Sequence, residues 1–571
     1  MTAEILKMPA LALIAGAFLI RLLPASPRRW AFLAFSALAL LLLLRLETGF
    51  TLTIPFAAYE LIPVKTDGLS LLFGFIFALT ALIGGVYAFH LEDRGQQSAA
   101  LLYAGSALGV TFAGDYFTLF VFWELMAVSS TYLVWARKTD SSRAAGMRYL
   151  VMHIFGGGML FAGILLHFIE TNSLAVESLK YEFSVSATLI LLGVALNAAI
   201  PLLHPWLPDA YPKATITGAI FMSAFTTKSA VYVLIRVFPG WEVLAFIGVM
   251  MALYGVMYAV LVGDIRQILA YHILSQVGYM VAGVGIGTEM ALNGSAAHAF
   301  NNILYKGLMF MGAGAVLHAT GKSKLSELGG IAPKLKAALI LYMVGAFSIS
   351  GAPLFNGFIS KPMVVGATAA DYKMLSLLLV LASVGTFLSV GLKLPYFTWF
   401  GESKSELELK PVPRNMLIAM GMCAFLCVLF GLHPGLLYNY LPYQPVDYRP
   451  FTVYNLVEAT QILIFTFVGF WLLRKKLVGV PKIALDVDWL YRGPGARAAG
   501  GAVNLISALF DWFEERTERT ARAAVRAFEN PMRWLNPTRH QHHAASYSPP
   551  IGTVTGFMLL IFVLIGLFIL I

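Results

Sequence analysis

The sequence of 571 residues is short of charge: Asp, Glu, Lys and Arg make up 12% of it, against roughly a quarter in an ordinary soluble domain. With 59% hydrophobic residues and a mean hydropathy of +0.76, the composition excludes a water-soluble globular fold. Cysteine is scarce as well. Cys423 and Cys427 lie one helical turn apart in an apolar run, which suits packing and offers neither a disulfide framework nor a metal site. Nucleotide motifs are weak. Gly283-Val-Gly-Ile-Gly287 sits in an apolar run without the strand–turn–helix setting of a dinucleotide fold. Gly321-Lys-Ser323 has Val316 where a phosphate loop needs its first glycine. No nucleotide, cofactor or metal is expected; histidines in apolar runs leave a b-type haem formally open, yet no pair at matched spacing stands out. The net charge of +10 raises nucleic acid as a partner, but Lys/Arg excess in a multispanning chain is a property of cytoplasmic loops, and none is expected.

What is present is a succession of apolar runs of about 18–25 residues from Leu11 to Ile571, each long enough to cross a hydrocarbon core of about 30 Å as a helix. The runs are continuous rather than alternating, so they predict an all-α polytopic membrane protein of about 14–15 spans and not a barrel. The first run, about Met8–Ile20, has one lysine before it and no small-residue cleavage pattern before Arg21, and is expected to be retained. Basic loops around Arg21, Arg28 and Arg29, at Arg94, and at Arg137, Lys138, Arg143 and Arg148 alternate with acidic loops. The acidic loops hold Glu47, Glu60 and Asp67, then Glu170, Glu177 and Glu182. This alternation predicts an N-terminus outside a bacterial or archaeal cytoplasmic membrane.

Along the chain, N-terminal spans over 1–98 lead into a core over 99–431, divided roughly into 99–262 and 268–431. Two proline- and glycine-rich interruptions fall inside apolar stretches of this core, at Pro201–Pro212 and Ser350–Pro362. Proline breaks a helix, and a broken helix at membrane depth survives only under cover of protein or a watery cavity. Interrupted segments at matching positions in two halves, here about 150 residues apart, are the sequence pointer to transporter repeats and their ion paths. A further span lies in 432–481, an arginine-rich segment in 482–550 and a last apolar run in 551–571. Within 482–550, Val503, Ile506, Phe510, Phe513, Ala521, Val525 and Phe528 recur at helical steps opposite Glu514, Glu515, Arg516 and Arg519. They predict an amphipathic helix that lies on lipid or along a neighbouring subunit.

Four ionisable residues stand inside the apolar runs: Glu124, Lys228, Lys306 and Lys393. Each costs about 2.5–3.5 kcal/mol on insertion scales, so each is expected to face the bundle interior or water and to serve function. A lysine desolvated near other charges gives up its proton more readily and an opposed glutamate restores it, which is the chemistry of proton transfer. His298, His272, Asp264 and Ser275 could relay between them, with Arg266 nearby. Static buried ion pairs are the alternative, with snorkelling for Lys393 beside Pro395; a lone span histidine is often structural, and Asp264 and Arg266 could mark a cytoplasmic loop.

At these residues the chain resembles the antiporter-like subunits shared by Mrp-type cation/proton antiporters, respiratory complex I and membrane-bound hydrogenases. The carriers, from about Leu101 to Phe400, are Phe-Trp-Glu124-Leu-Met, Leu203-His-Pro-Trp-Leu-Pro-Asp-Ala-Tyr-Pro212, Thr227-Lys228 through Tyr232 to Arg236, Ile268 to Gly278, and His298 to Phe310. The Tyr-Pro after Trp-Leu-Pro-Asp, and Ala-Tyr-His, look most like the D-type Mrp subunits. The resemblance implies an inverted repeat of two five-helix units with broken helices, Glu124 and Lys228 as the charged pair of the first half, and Lys306 and Lys393 as the central and terminal lysines of the second. It implies a proton-translocating subunit without catalytic chemistry of its own, exchanging H⁺ against Na⁺ or another monovalent cation together with other membrane subunits. Related readings are a pumping subunit of complex I or hydrogenase type and a proton-coupled component of bicarbonate uptake; a scaffold with silent charges is the reading from another class. Asn302 stands where the family usually has a second histidine, and 243–262 lacks a lysine or histidine. The tail with Asp488-Trp-Leu-Tyr-Arg492, an amphipathic helix and a last span is similar to the lateral-helix extension of the largest complex I antiporter-like subunit.

Overall fold

Long apolar runs satisfy their backbone donors and acceptors internally only as helices, and helices dominate the fold. The computed structural model describes residues 8–57, 59–402, 408–477, 486–529, 555–556 and 558–561. Among them, 11 helices are long and apolar enough to span a membrane, and Pro9–Leu22, Val185–Asn197 and Lys336–Ser350 are shorter apolar helices. These bear out an all-α polytopic membrane protein, with 11 candidate spans among the described residues against the expected 14–15. The expected last span lies almost wholly outside the described residues.

One element departs from the all-helical expectation. Thr51–Phe56 and Tyr59–Lys65 form an antiparallel hairpin in the loop between two spans. Threonine, isoleucine and valine favour the extended backbone there. Asp115 fixes the hairpin to the core by accepting from Ile62 N at 2.7 Å. On the same side Asp67 caps Gly68–Tyr87 through a capping box with Ser70 and takes both guanidinium nitrogens of Arg236, at 2.7 and 2.8 Å.

Both interruptions are breaks. Val185–Asn197 ends and the chain turns irregularly before the short helix Trp206–Ala210; Lys336–Ser350 ends at Gly351, whose φ of +73° suits glycine, and Lys361–Asp371 begins ten residues later. Counting helices from one break to the next, the two interrupted helices enter from opposite sides, the relation an inverted repeat requires.

The core sits on Gly218–Val237 and Ile265–Ile286, whose apolar windows are 100% buried. Ile265–Ile286 meets Glu242–Leu261 backbone to backbone across small residues. A Cβ at Gly278 would stand 2.5 Å from Gly248 O, one at Gly255 2.6 Å from Ser275 N, and one at Gly285 would overlap Ala245 N. With apolar lipid outside, such close approach is what holds two spans together. Gly283-Val-Gly-Ile-Gly287 is therefore part of a helix seam ending in a left-handed cap at Gly287. Gly285→Leu is expected to cost more than the ~1–3 kcal/mol of ordinary overpacking, because the obstacle is backbone. The check is the yield of folded protein by size-exclusion chromatography; normal yield would show that the helices can part.

The chain divides into two units, Met1–Asp486 and Val487–Ile571. The second contains the expected amphipathic helix as Ala496–Glu529, with Val503, Ile506, Phe510, Phe513, Val525 and Phe528 all exposed.

Candidate functional site

Glu124 projects from the middle of Tyr116–Trp135 against bare backbone on Asp140–Thr171: a Cβ added at Gly157 would overlap its Oε1. That oxygen is buried and has no hydrogen-bond partner among the described residues. One turn before Gly157, His153 stacks on Tyr149 with ring centroids 3.9 Å apart. The Tyr149 hydroxyl meets Ser130 Oγ at 2.9 Å and Thr226 Oγ1 at 3.3 Å, and the Tyr103 hydroxyl meets Thr226 Oγ1 at 2.5 Å. Thr226 opens the helix that carries Lys228. Glu124 and Lys228 therefore make no direct ion pair; a ladder of ring and hydroxyl groups lies between their helices.

Lys228 is wholly buried beside a third discontinuity. The span 218–237 breaks at Phe225 between Gly218–Ala224 and Thr226–Val237, and Nζ donates to Ser223 O at 2.8 Å. Lys306, on Glu289–Thr320, donates to Leu269 O at 3.2 Å and lies within electrostatic reach of Lys228 and Lys361. His298, two turns before Lys306, contacts Ser360 Oγ through Nδ1 at 3.1 Å and Gln276 Oε1 through Nε2 at 3.2 Å. Tyr305 joins it, donating to Gln276 Oε1 at 3.3 Å and accepting from Asn302 Nδ2 at 2.9 Å. Asn302 thus holds the network where a second histidine was expected from the resemblance.

His272 meets Ser389 Oγ at 2.6 Å and lies among Lys306, Lys361 and Lys393. Ser389 belongs to a π-helical stretch, Phe387–Lys393, a local unwinding typical of functional sites. Lys393 ends it, donating to Val260 O at 2.6 Å and Val262 O at 2.9 Å where Glu242–Leu261 stops. Lys306 and Lys393 thus both lie within electrostatic reach of His272. Ser275 is buried next to Gly255 with no hydrogen-bond partner among the described residues. Asp264 caps Ile265–Ile286, accepting from Arg266 N and Gln267 N, and receives Ser323. Arg266 closes the end of the first break, donating to Pro212 O, Ala214 O and Thr215 O at 2.9, 3.0 and 3.1 Å.

Several polar residues of this interior escaped the sequence reading. Lys361 is a further buried lysine, donating to Ile349 O at 2.8 Å; the Lys-Pro step closing the second interruption was its signal. Asn197, at the end of the first interrupted helix, has both amide atoms buried without partners among the described residues. His153, Asn197, Thr227, His272 and Gln276 each keep a buried polar atom unpaired there, and buried polar groups of this kind normally bind water.

Asp486 was also missed. It accepts from His204 Nε2 at 3.1 Å in the first break, from Tyr271 at 2.6 Å, and from Tyr254, which lies on the span without lysine or histidine. Burial works to raise this carboxyl, but the His204 and tyrosine hydrogen bonds and the His204 charge outweigh it and hold it at about 2. Its stabilising effect is therefore full above the ordinary value of 3.8 and is lost as pH falls through about 2. Asp486→Asn is expected to lower the melting temperature in detergent at about pH 5, the difference closing towards pH 2. A difference unchanged at the acid end would show that the carboxylate charge is irrelevant.

Against known proteins, residues 113–389 match the family described as NADH:quinone oxidoreductase/Mrp antiporter, transmembrane. A protein of Methanocaldococcus jannaschii is 28% identical over 373 residues, 62% of this chain and 77% of that protein. The A1 subunit of the Na⁺/H⁺ antiporter of Staphylococcus aureus is 28% identical over 423 residues, 65% of this chain; the chain spans about half, 53%, of that relative's length. Among solved structures, the Mrp complex from Dietzia sp. DQ12-45-1b contains a chain similar over 88% of this one and 60% of that one (TM-score 0.76, 22% identity). The membrane-bound sulfane sulfur reductase, an archaeal respiratory membrane complex, contains one similar over 98% and 99% (TM-score 0.73, 23% identity). A chain of respiratory complex I from Thermus thermophilus matches 76% of this chain at a TM-score of 0.66. At these identities the solved structures show a shared fold.

Proposed function

We propose that this chain, a member of the antiporter-like membrane subunit family matched by its residues 113–389, translocates protons along Glu124, Lys228, Lys306 and Lys393 within a multisubunit assembly that exchanges them for Na⁺ or another monovalent cation. The observation that carries the reading is the run of buried lysines bound only to backbone carbonyls, in an interior that also buries the pairs His298–Ser360 and His272–Ser389. A lysine whose partner is a neutral carbonyl can lose its proton without stranding a counter-ion, which a fixed buried ion pair cannot. A cation or charge arriving near Glu124 repels the Lys228 proton, which passes towards Lys306 and leaves at Lys393. Membership of a larger assembly follows the Mrp and respiratory complexes that hold similar chains.

The likeness to D-type Mrp subunits rests on the Tyr211-Pro212 and Ala270-Tyr271-His272 motifs, whereas the named antiporter relative is of the A type. A second reading, a pumping subunit powered by electron transfer elsewhere, is favoured by the likeness, over 98% of this chain and 99% of that one, to a chain of the sulfane sulfur reductase. Inverted vesicles carrying the native gene cluster separate the two. With a pH gradient preformed and no redox substrate, addition of Na⁺, K⁺ or Li⁺ is expected to dissipate the gradient. No cation-dependent change despite verified assembly would transfer the protein to the redox-driven class. The alternation of basic and acidic loops supports a cytoplasmic side at Arg137–Arg148. Trypsin is expected to cut there in inverted vesicles and not in right-side-out ones; the reverse would invert the topology.

A further inference from the structure

Lys334, Lys336 and Lys410 converge on one cavity away from the path between Glu124 and Lys393. It has a volume of about 400 Å³ and lies between the start of Lys336–Ser350 and the irregular segment 408–413 that leads into Arg414–Leu432, two helices that pack together. Small-molecule sites occupy about 300–1,000 Å³, so the space is large enough for a ligand. The three lysines are its charged lining, with no acidic residue beside them among the described ones. None of the three has an ion pair among the described residues, whereas Lys213 and Lys322 are paired with Asp209 and Glu327. Lysines gathered without a counter-charge repel one another, and an anion among them relieves that repulsion.

The backbone that carries the lysines is tied down: Lys334 N donates to Ile331 O at 3.2 Å and Lys410 N to Ala319 O at 2.9 Å. Ile265 N donates to Ser323 O, and Arg137 and Arg266 both donate to Pro212 O, so the cavity opens on the same face as the basic Arg137–Arg148 loop. Its other walls are apolar. Leu335, Val412 and Leu417 line it, and beyond them Ile340 and Ile418, one on each helix, are 56% and 58% exposed. A basic pocket at the ends of two spans, with an apolar path leading away from it along both, fits an amphiphile with its phosphate among the lysines and its acyl chains on the helices. A free phosphate would use the lysines and leave the apolar path idle. Lysines that only set orientation would need no shared cavity.

We propose that Lys334, Lys336 and Lys410 hold the phosphate of an anionic phospholipid whose acyl chains lie along Lys336–Ser350 and Arg414–Leu432. An ammonium binds phosphate as a point charge, without the planar fork of a guanidinium, so the site selects for charge and not for one headgroup. The inference stands independently of proton translocation.

The test uses the whole assembly in detergent and a phosphatidylglycerol carrying a photoreactive diazirine beside its phosphate. Illumination is expected to leave adducts on peptides covering residues 334–338 and 409–417, and unlabelled phosphatidylglycerol to compete at a concentration at least about tenfold lower than phosphatidylcholine of the same chains. Lys334→Gln, Lys336→Gln and Lys410→Gln together are expected to cut these adducts at least about tenfold. Arg94→Gln, Lys138→Gln and Arg143→Gln, which remove the same charge from exposed positions in other basic loops, are expected to leave them unchanged. Ala337→Trp keeps every lysine while filling the cavity, and is expected to match the lysine triple. Equal competition by the two lipids, or adducts undiminished in the lysine triple, would overturn the site. Adducts undiminished in Ala337→Trp would overturn it too, by showing that the lysines attract lipid only as diffuse surface charge. Competition by inorganic phosphate as effective as that by phosphatidylglycerol would make the ligand a soluble anion and contradict the lipid.

Discussion

Lys306→Met is expected to reduce proton-coupled transport by at least about tenfold, the lower part of the range for removing a positioned proton-transfer group, while the protein folds and assembles normally. Lys306 is the junction of the chain, within electrostatic reach of Lys228 and Lys361 on one side and of His272 on the other. Removing it takes away one of the lysines around His272. Folding should survive because the ammonium is held by one backbone carbonyl, Leu269 O, and methionine fills the same length without a buried charge. Lys306→Arg is expected to fail as well, since guanidinium stays protonated at every accessible pH. The measurement is gradient dissipation in vesicles normalised to assembled complex. Retained exchange in Lys306→Met would place Lys306 among structural groups; lost assembly in both variants would point to a packing role.

The second large effect comes from a residue with no side chain. Gly157→Ala is expected to reproduce the transport loss of Glu124→Gln, because the new methyl group takes the space of Glu124 Oε1 and drives the carboxylate off its seat. Alanine is otherwise the better helix residue, worth about 0.5–1 kcal/mol over glycine, so stability should hold or rise while function falls. Gly158→Ala, next along the helix with open space at its Cβ, supplies the control and is expected to change nothing. Equal exchange rates in Gly157→Ala and Gly158→Ala would mean that the seat of Glu124 is unimportant.

Much of this was legible in the sequence, for reasons specific to membranes. A charge in a long apolar run is costly enough to be conspicuous, and Glu124, Lys228, Lys306 and Lys393 announce themselves that way. Proline inside such runs marked both breaks. Residues escaped where polarity coincided with an expected interruption. Lys361 stands beside Pro362 at the end of the second break, where a charge reads as loop. Asn197 and Tyr149 carry no charge to flag them. Asp486 lies in a polar segment far along the chain from His204, and only folding brings the two to 3.1 Å. The Phe225 break in 218–237 has no proline or glycine at the break itself, so the local sequence carries no warning of it. Asp264 caps Ile265–Ile286, as an acid just before an apolar helix commonly does. The hairpin at 51–65 is too short to register against long apolar runs.

The most direct test of the buried lysine chain is dye-monitored proton/cation exchange in inverted vesicles bearing the complete assembly, comparing the unaltered chain, Lys228→Met and the surface control Lys322→Met. Lys228 is wholly buried and Lys322 is exposed on a loop. Cation-dependent exchange that persists in Lys322→Met and falls at least about tenfold in Lys228→Met, with equal assembly, is the predicted result. Equal exchange in all three would contradict proton passage along the buried lysines.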